Sequence, residues 1–267
     1  MRRRHLVELE DLRWLPRAVR DGATTYLAWI TARSGQIEFL VPTLERLLRR
    51  TGQLEIVDLC SGGAGPMPGV VAGLRARGLP VHATLTDFYP NAEALAYACA
   101  GAGGALTHSV EPIDAMRVPV ELAGVRTLWN AFHHFRPEQA REILASAVRA
   151  RRPIAVFELL TRQPLVLVSL LFSPVVALLT VPFWRPFRMS SLFFSWIVPL
   201  IPLLILWDGV VSWLRIYSDS ELSELVTGFG GEAYEWEIGR IRLGRLPVYA
   251  SYLLGAPRDG PPAAPRS

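Results

Sequence analysis

The stretch Ile56-Val57-Asp58-Leu59-Cys60-Ser61-Gly62-Gly63-Ala64-Gly65-Pro66 constrains this chain more than any other. An apolar run ends in an acid, then breaks into small residues before a helical pattern begins. Such a stretch reads as a buried strand, a tight turn that lets backbone approach a ligand, and a helix start. Glycine-rich turns in that setting follow the first strand of many nucleotide-binding α/β folds. The rhythm continues downstream. Strands are predicted over 54–59, 81–86, 106–110, 125–129 and 154–159, with helices over 69–77, 92–100 and 137–150 between them. Alternation at that pace implies a parallel sheet covered by helices. A helix over 218–229 and strands over 232–242 and 248–254 complete it.

At 267 residues the chain can bury a full core, and one α/β domain with an insertion is expected. Residues 1–50 read as a helical cap, with Pro16 and Pro42 at boundaries or first turns. The core covers 51–162 and resumes over 208–256, and the Pro- and Ala-rich tail 257–267 is expected to be disordered. The chain holds no lysine, so its 28 basic residues are all arginine, and net charge is +4. They are scattered rather than arrayed between aromatics, so nucleic acid is not an expected partner. Cys60 and Cys99 form neither a metal-ligand pattern nor a disulfide framework, which fits a reducing compartment. The basic start, Arg2 to Arg4, leads into Glu8, Glu10 and Asp11 rather than an apolar core, unlike a secretory signal.

A mean hydropathy of +0.26 is high for such a domain, and the excess sits in residues 163–207. Two runs, 165–184 and 189–207, carry no charge, with Arg185 and Arg188 between them. Each is long enough for a bilayer core of about 30 Å. Pro174, Pro182, Pro186, Pro199 and Pro202 interrupt them, and the two arginines would fall on the far side, against the positive-inside tendency. An in-plane or re-entrant hairpin, with Phe183, Trp184, Phe187, Phe193, Phe194 and Trp196 near the interface, is the expectation. Full spanning and a buried helical lid stay open as alternatives. The expected place is the cytoplasmic face of the inner membrane.

Each strand ends in a chemically pointed group: Asp58 and the glycine turn, then Asp87, Asp114, Asn130 with His133 and His134, and Glu158. Acids at successive strand ends suit a ligand with hydroxyl and amino groups and sit poorly with polyphosphate. The turn also lacks the Lys-Ser/Thr of a phosphate loop, which argues against an NTPase, and the spaced glycines of a dinucleotide turn.

Asp58-Leu59-Cys60-Ser61-Gly62-Gly63-Ala64 resembles the first motif of class I S-adenosylmethionine-dependent methyltransferases. Thr86-Asp87 is similar to the acidic end of their second strand, Asp114-Ala115 to their adenine-side acid, and Leu128 to Phe135 to their fourth motif. The match spans roughly residues 54–160, and the last two strands fit the family's terminal hairpin; the whole resembles a little-characterised bacterial branch with an apolar insert. The resemblance implies a Rossmann-like, seven-stranded, mostly parallel α/β sheet with helices on both faces. It also implies S-adenosylmethionine as cofactor and methyl transfer, and the apolar insert, docking the chain on a membrane, makes a lipophilic small molecule the expected acceptor.

By position, Gly62 and Gly63 would let backbone approach the methionine part of the cofactor, with Cys60 in the same turn. Asp87 would accept from the ribose hydroxyls beside Phe88, Asp114 would receive the adenine amino group beside Ala115, and Asn130 would line the methionine end. Asp58 either contacts the cofactor or holds the turn by hydrogen bonds to backbone N–H groups. Cys60 and Ala64 depart from the commoner motif, which has glycines there.

His133 and His134 are candidates for a base, or for helix-start histidines bonded to backbone; nothing in their spacing suggests a metal. Glu158 and the segment Asp208 to Tyr217 fall where the family makes acceptor contacts. Asp208, Arg215 and Tyr217 would bind a polar head group or form a solvated boundary. Trp14 and Tyr26 would cap a substrate pocket or simply pack the helical layer. A non-catalytic, membrane-anchored scaffold of the same fold is the alternative from another class.

Overall fold

The computed structural model describes residues 3–229 and 231–260. An irregular N-terminal segment leads into α1 (Arg17–Arg33) and α2 (Ile37–Thr51). The α2 pattern is plain: Leu40, Val41, Leu44, Leu47 and Leu48 recur at helical spacing and all are buried. Pro42, expected at a boundary, lies inside this helix, close to its start. There follow β1 (Glu55–Leu59), α3 (Met67–Ala76), β2 (His82–Leu85), α4 (Ala92–Ala100), β3 (Leu106–His108), β4 (Val125–Trp129), α5 (Pro137–Arg149) and β5 (Ile154–Glu158). The apolar region forms α6 (Pro164–Leu171), α7 (Ser173–Thr180), α8 (Met189–Leu192) and α9 (Leu200–Arg215). The chain returns through α10 (Asp219–Val226), β6 (Tyr234–Arg242) and β7 (Tyr249–Pro257).

The strands form one sheet in the order β3-β2-β1-β4-β5-β7-β6. β1 to β5 run parallel, and β7 is antiparallel to both β5 and β6. This is the expected Rossmann-like α/β sheet with its terminal hairpin. Strand order reverses between β1 and β4, and ligands of such sheets bind outside the carboxyl ends at that reversal. Helices cover both faces: α2 and α3 pack on one, through Leu44, Met67 and Leu74, and α5 and α10 on the other, through Ile143, Leu144 and Leu222.

A third apolar cluster lies outside the sheet. Val19, Ala23 and Tyr26 of α1 pack with Ala177, Val181, Trp184, Ile201 and Leu204, so α1 and α6–α9 make a helical roof. The roof is close-fitting: a Cβ on Gly22 of α1 would stand 2.4 Å from Ile201 Cδ1 on α9. Tyr26, a candidate for the substrate pocket, is instead interior, 5.3 Å from the Trp184 ring. Trp184, expected near a membrane interface, is buried for the same reason.

Among the described residues no single helix is long and apolar enough to cross a membrane. Two pairs approach that length but are bent by 42° and 80°. Arg188, between the apolar runs, is tied to the core. It pairs with Asp21 at 3.1 Å and Glu93 at 2.8 Å, and donates to Asn91 Oδ1 at 2.8 Å. The tail from Pro257 is expected from the sequence to be disordered; β7 continues to Pro257, opposite Tyr234, and residues 261–267 lie outside those described.

Candidate active site

The turn after β1 is held from below by Asp58. Thr127 Oγ1 lies 2.6 Å from one carboxylate oxygen and Ser61 Oγ 2.6 Å from the other. Ser61 Oγ is also 3.0 Å from the Asp58 carbonyl and accepts the Thr86 N–H at 3.1 Å. Burial pushes the Asp58 carboxyl up to about 7 against the bonds from Ser61 and Thr127. A protonated Asp58 satisfies all of this at once: its O–H goes to Ser61 Oγ, whose own proton goes to the Asp58 carbonyl. Of the two roles open to Asp58, the structure gives it the one that holds the turn.

Above Asp58 the backbone takes an unusual course. Cys60 has φ +59° and Ala64 φ +77°, the left-handed region in which a side chain costs roughly 1–2 kcal/mol. These are the two positions at which the commoner motif has glycine. Gly63 faces inward, not toward a ligand. A Cβ there would stand 2.9 Å from the Thr24 carbonyl of α1, so α1 lies against the turn. Gly62 is the accessible glycine, and its N–H donates to Asp87 Oδ2 at 2.7 Å. The Tyr89 N–H donates to Asp87 Oδ1 at 2.7 Å. Burial raises the Asp87 carboxyl, and these two bonds oppose it.

Cys60, Gly62, Asp87, Phe88, Asp114 and Asn130 are the members of the expected cofactor set that remain accessible; Asp58, Gly63 and Ala115 are buried. Asn130 ties two strand ends together, its Oδ1 accepting the Leu159 N–H at 2.6 Å. Its amide nitrogen makes no hydrogen bond among the described residues. Asp114 Oδ1 accepts the Met116 N–H at 2.9 Å. Each carboxylate has lone pairs beyond those occupied. A nucleoside's hydroxyl and amino groups would therefore find acceptors at Asp87 and Asp114 and a donor at Asn130. The residues fit such a group.

The second half of the site is the turn Phe132–His134 after β4. The Glu158 carboxylate accepts both from His133 Nδ1, at 2.9 Å, and from the His133 backbone N–H, at 3.0 Å. That fixes the ring, with Nε2 3.9 Å from Glu8 Oε1. His134 stacks beside it at 4.5 Å between centroids. Its Nδ1 lies 2.9 Å from Asp11 and 3.0 Å from Glu8. Glu8 is 1 % exposed and also meets Arg215 at 3.1 Å and the Ser212 hydroxyl at 3.1 Å.

Burial alone would raise Glu8, yet the charge and hydrogen bond of His134, with His133 and Arg215, hold it at about 2. Burial likewise opposes the charge on His134, but Glu8 and Asp11 lift its pKa well above the usual imidazole range. Glu10 lies close by; burial, opposed by His134 and reinforced by Asp208, Glu8 and Asp87, brings it up to about 8. The two halves meet electrostatically: His134 lowers Asp87, and Asp87, Asp58, Asp114 and Asp11 all add to the burial that raises the Cys60 thiol.

Three residues expected to bind a polar head group serve another purpose. Asp208 accepts the Leu9 and Glu10 N–H groups at 2.7 and 2.9 Å. Arg215 Nε donates to the Leu6 carbonyl at 2.7 Å and its guanidinium meets Asp11 at 2.8 Å. Tyr217 donates to the Phe135 carbonyl at 2.7 Å and is covered by the Arg3 guanidinium, 4.0 Å from the ring centroid. They clamp the N-terminal segment over the histidines. Trp14 is on the surface, 72 % exposed. Glu8, Glu10 and Asp11 were absent from the sequence-derived set of site residues. Their only signal was three acids in a short run that a leader peptide would not contain.

No protein-family model and no curated protein matches this chain. Solved structures of similar fold include the plantazolicin methyltransferase BpumL in complex with SAH, at 14% identity over 89% of this chain and 85% of that one, with a TM-score of 0.49. An O-methyltransferase family protein from Burkholderia thailandensis shares 14% identity over 82% of this chain, with a TM-score of 0.45. The match spans only 55% of that protein's length. A protein named as a Zn-dependent alcohol dehydrogenase, from Rhodobacter sphaeroides, shares 13% identity over 91% of this chain and 99% of its own, with a TM-score of 0.48.

Proposed function

We propose that this chain is an S-adenosylmethionine-dependent methyltransferase that acts on a lipophilic, hydroxylated small molecule at a membrane surface. The observation that carries the reading is that Gly62, Asp87, Asp114 and Asn130, all accessible, follow the carboxyl ends of β1 to β4, on both sides of the point where strand order reverses. A nucleoside with a short amino-acid arm suits this set; a polyphosphate does not. When bound, the cofactor supplies an electrophilic methyl on a sulfonium centre. The protein's share is then largely positioning, since an in-line displacement depends on holding two reactants in one geometry. An acceptor hydroxyl must also lose a proton, and the histidine cluster that follows β4 is the group to which we assign it.

Support for the membrane comes from the roof. Its outer side exposes Phe172, Leu179, Phe183, Met189, Trp196 and Ile197, while its inner side is fully packed. Large contiguous apolar surface on a single chain marks an interaction site. With the tip at Arg188 fastened to Asp21, Asn91 and Glu93, the roof suits insertion in the plane of a leaflet rather than a crossing. The cytoplasmic face of the inner membrane is the surface we assign, in keeping with two free cysteines.

Calorimetry with S-adenosylhomocysteine tests the cofactor. Binding to the wild type and its loss in Asp87→Ala are expected; absence of heat in the wild type would sink the enzyme reading. Transfer of labelled methyl into a total lipid extract, followed by mass analysis, tests the acceptor class, and labelling confined to water-soluble extracts would overturn it.

A further inference from the structure

We infer that Glu8, His133 and His134 form a binding site for one divalent first-row transition-metal cation, with Asp11 at its rim. Two imidazole nitrogens and a carboxylate oxygen of these residues all lie within 4.8 Å of one another. Glu8 Oε2 is 3.0 Å from His134 Nδ1, and Glu8 Oε1 is 3.9 Å from His133 Nε2. Ligand bonds near 2.1 Å put neighbouring ligands of a tetrahedral ion roughly 3.3 Å apart, between those two values. The two distances run to different Glu8 oxygens, so the carboxylate and the two rings would close in by up to about 1.5 Å to hold one ion through three donors.

Three further features point the same way. His133 Nδ1 is held by Glu158 at 2.9 Å, which aims Nε2 at Glu8, and Nε2 makes no hydrogen bond among the described residues. A carboxylate on the far nitrogen is the usual support of a metal-binding histidine. Glu8 is fixed in turn by the Ser212 hydroxyl and the Arg215 guanidinium, both at 3.1 Å. Finally, the cluster opens on one side only. Glu8 and His133 are 1 and 2 % exposed, whereas the His134 and Asp11 side chains are 26 and 39 % exposed. That leaves a coordination position open, as in catalytic rather than structural sites. Two nitrogens with one or two oxygens suit zinc, cobalt or iron better than magnesium or calcium.

The existence of this site does not depend on methyl transfer. Its role does: resting on that reading, the cation would hold an oxygen of the acceptor beside the cofactor and assist its ionisation. The competing occupant of the same space is a proton on His134, shared with Glu8 and Asp11.

The test uses the full chain, stripped with chelator and titrated with Zn2+ by calorimetry and with Co2+ by visible absorption. One ion per chain is expected, with the Co2+ bands of a four- or five-coordinate nitrogen–oxygen site. Glu8→Gln should weaken Zn2+ binding 10- to 100-fold; because Glu8 is buried, His134→Gln, at a half-exposed position, is measured beside it, with circular dichroism on both. The inference is overturned if the wild type binds no ion more tightly than millimolar, or if either folded variant binds as the wild type does. Calorimetry with S-adenosylhomocysteine keeps the two proposals apart. A chain that binds Zn2+ but not S-adenosylhomocysteine retains the metal site and loses the methyltransferase reading, and the converse result does the opposite.

Discussion

The sheet and the roof of this molecule solve opposite problems. In the sheet, apolar side chains are covered on both faces, and the strand-end acids find hydroxyl and N–H partners. In the roof, the apolar residues are split, with some packed on α1 and others left facing out. The sheet is therefore complete as a folded object, while the roof has a surface that its own chain does not use. Substitutions should separate the two by what they damage, stability in one and partition in the other.

The largest effect is expected inside the sheet. Phe157 is fully buried and stacked on Trp129 at 4.2 Å, so Phe157→Ala should cost about 3–5 kcal/mol in denaturant unfolding. Next come Leu179, Met189 and Trp196 of the roof, each more than half exposed. Replacing all three with serine should leave the melting temperature within a degree or two while weakening binding to anionic vesicles on the order of 100-fold. A roof that loses stability instead would be an interior surface, and the contrast drawn here would fail.

Third is a pH effect confined to the sheet. Asp58 titrates near 7 when folded, above its unfolded value, so the native state holds the extra proton between about pH 4 and 7. Stability from this group is present at low pH and is lost as pH rises through that window. Between pH 5 and 8 the wild type should lose roughly 4–8 °C more than Asp58→Asn, as read by calorimetric melting. Equal slopes in the two proteins would mean that Asp58 is ionised throughout.

The smallest effect concerns the glycine turn. Ala64 and Ala83 are equally buried, but only Ala64 has a positive φ. Ala64→Gly trades a buried methyl for relief of strain and should change stability by less than about 0.5 kcal/mol, whereas Ala83→Gly in β2 should cost about 1 kcal/mol or more.

These differences follow the division between what was legible in the sequence and what was not. The strands, the helix between each pair and the acids at their ends were legible because each depends on residues a few positions apart. Asp87 and Asn130 were placed by that logic alone. Asp208 and Arg215 are taken up by Leu6 to Asp11, some 200 residues away, and Tyr217 by Phe135 and Arg3, and local pattern carries no trace of such pairings. Glu8 was missed for the same reason. Tyr26 and Trp184 show the limit from the other side: aromatic composition cannot distinguish an interface belt from a packed interior.

Those long-range pairings also set an order of events. Leu9 is fastened to Asp208 across 199 residues and Asp11 to Arg215 across 204. During synthesis the first segment of the chain must therefore wait, unpaired, until α9 has left the ribosome. Contacts of such separation form late. The half of the site that holds Glu8 is completed only once the roof is built. A nascent chain stalled before α9 would carry a formed glycine turn and no histidine cluster, so the cofactor side is assembled well before the side that would meet an acceptor.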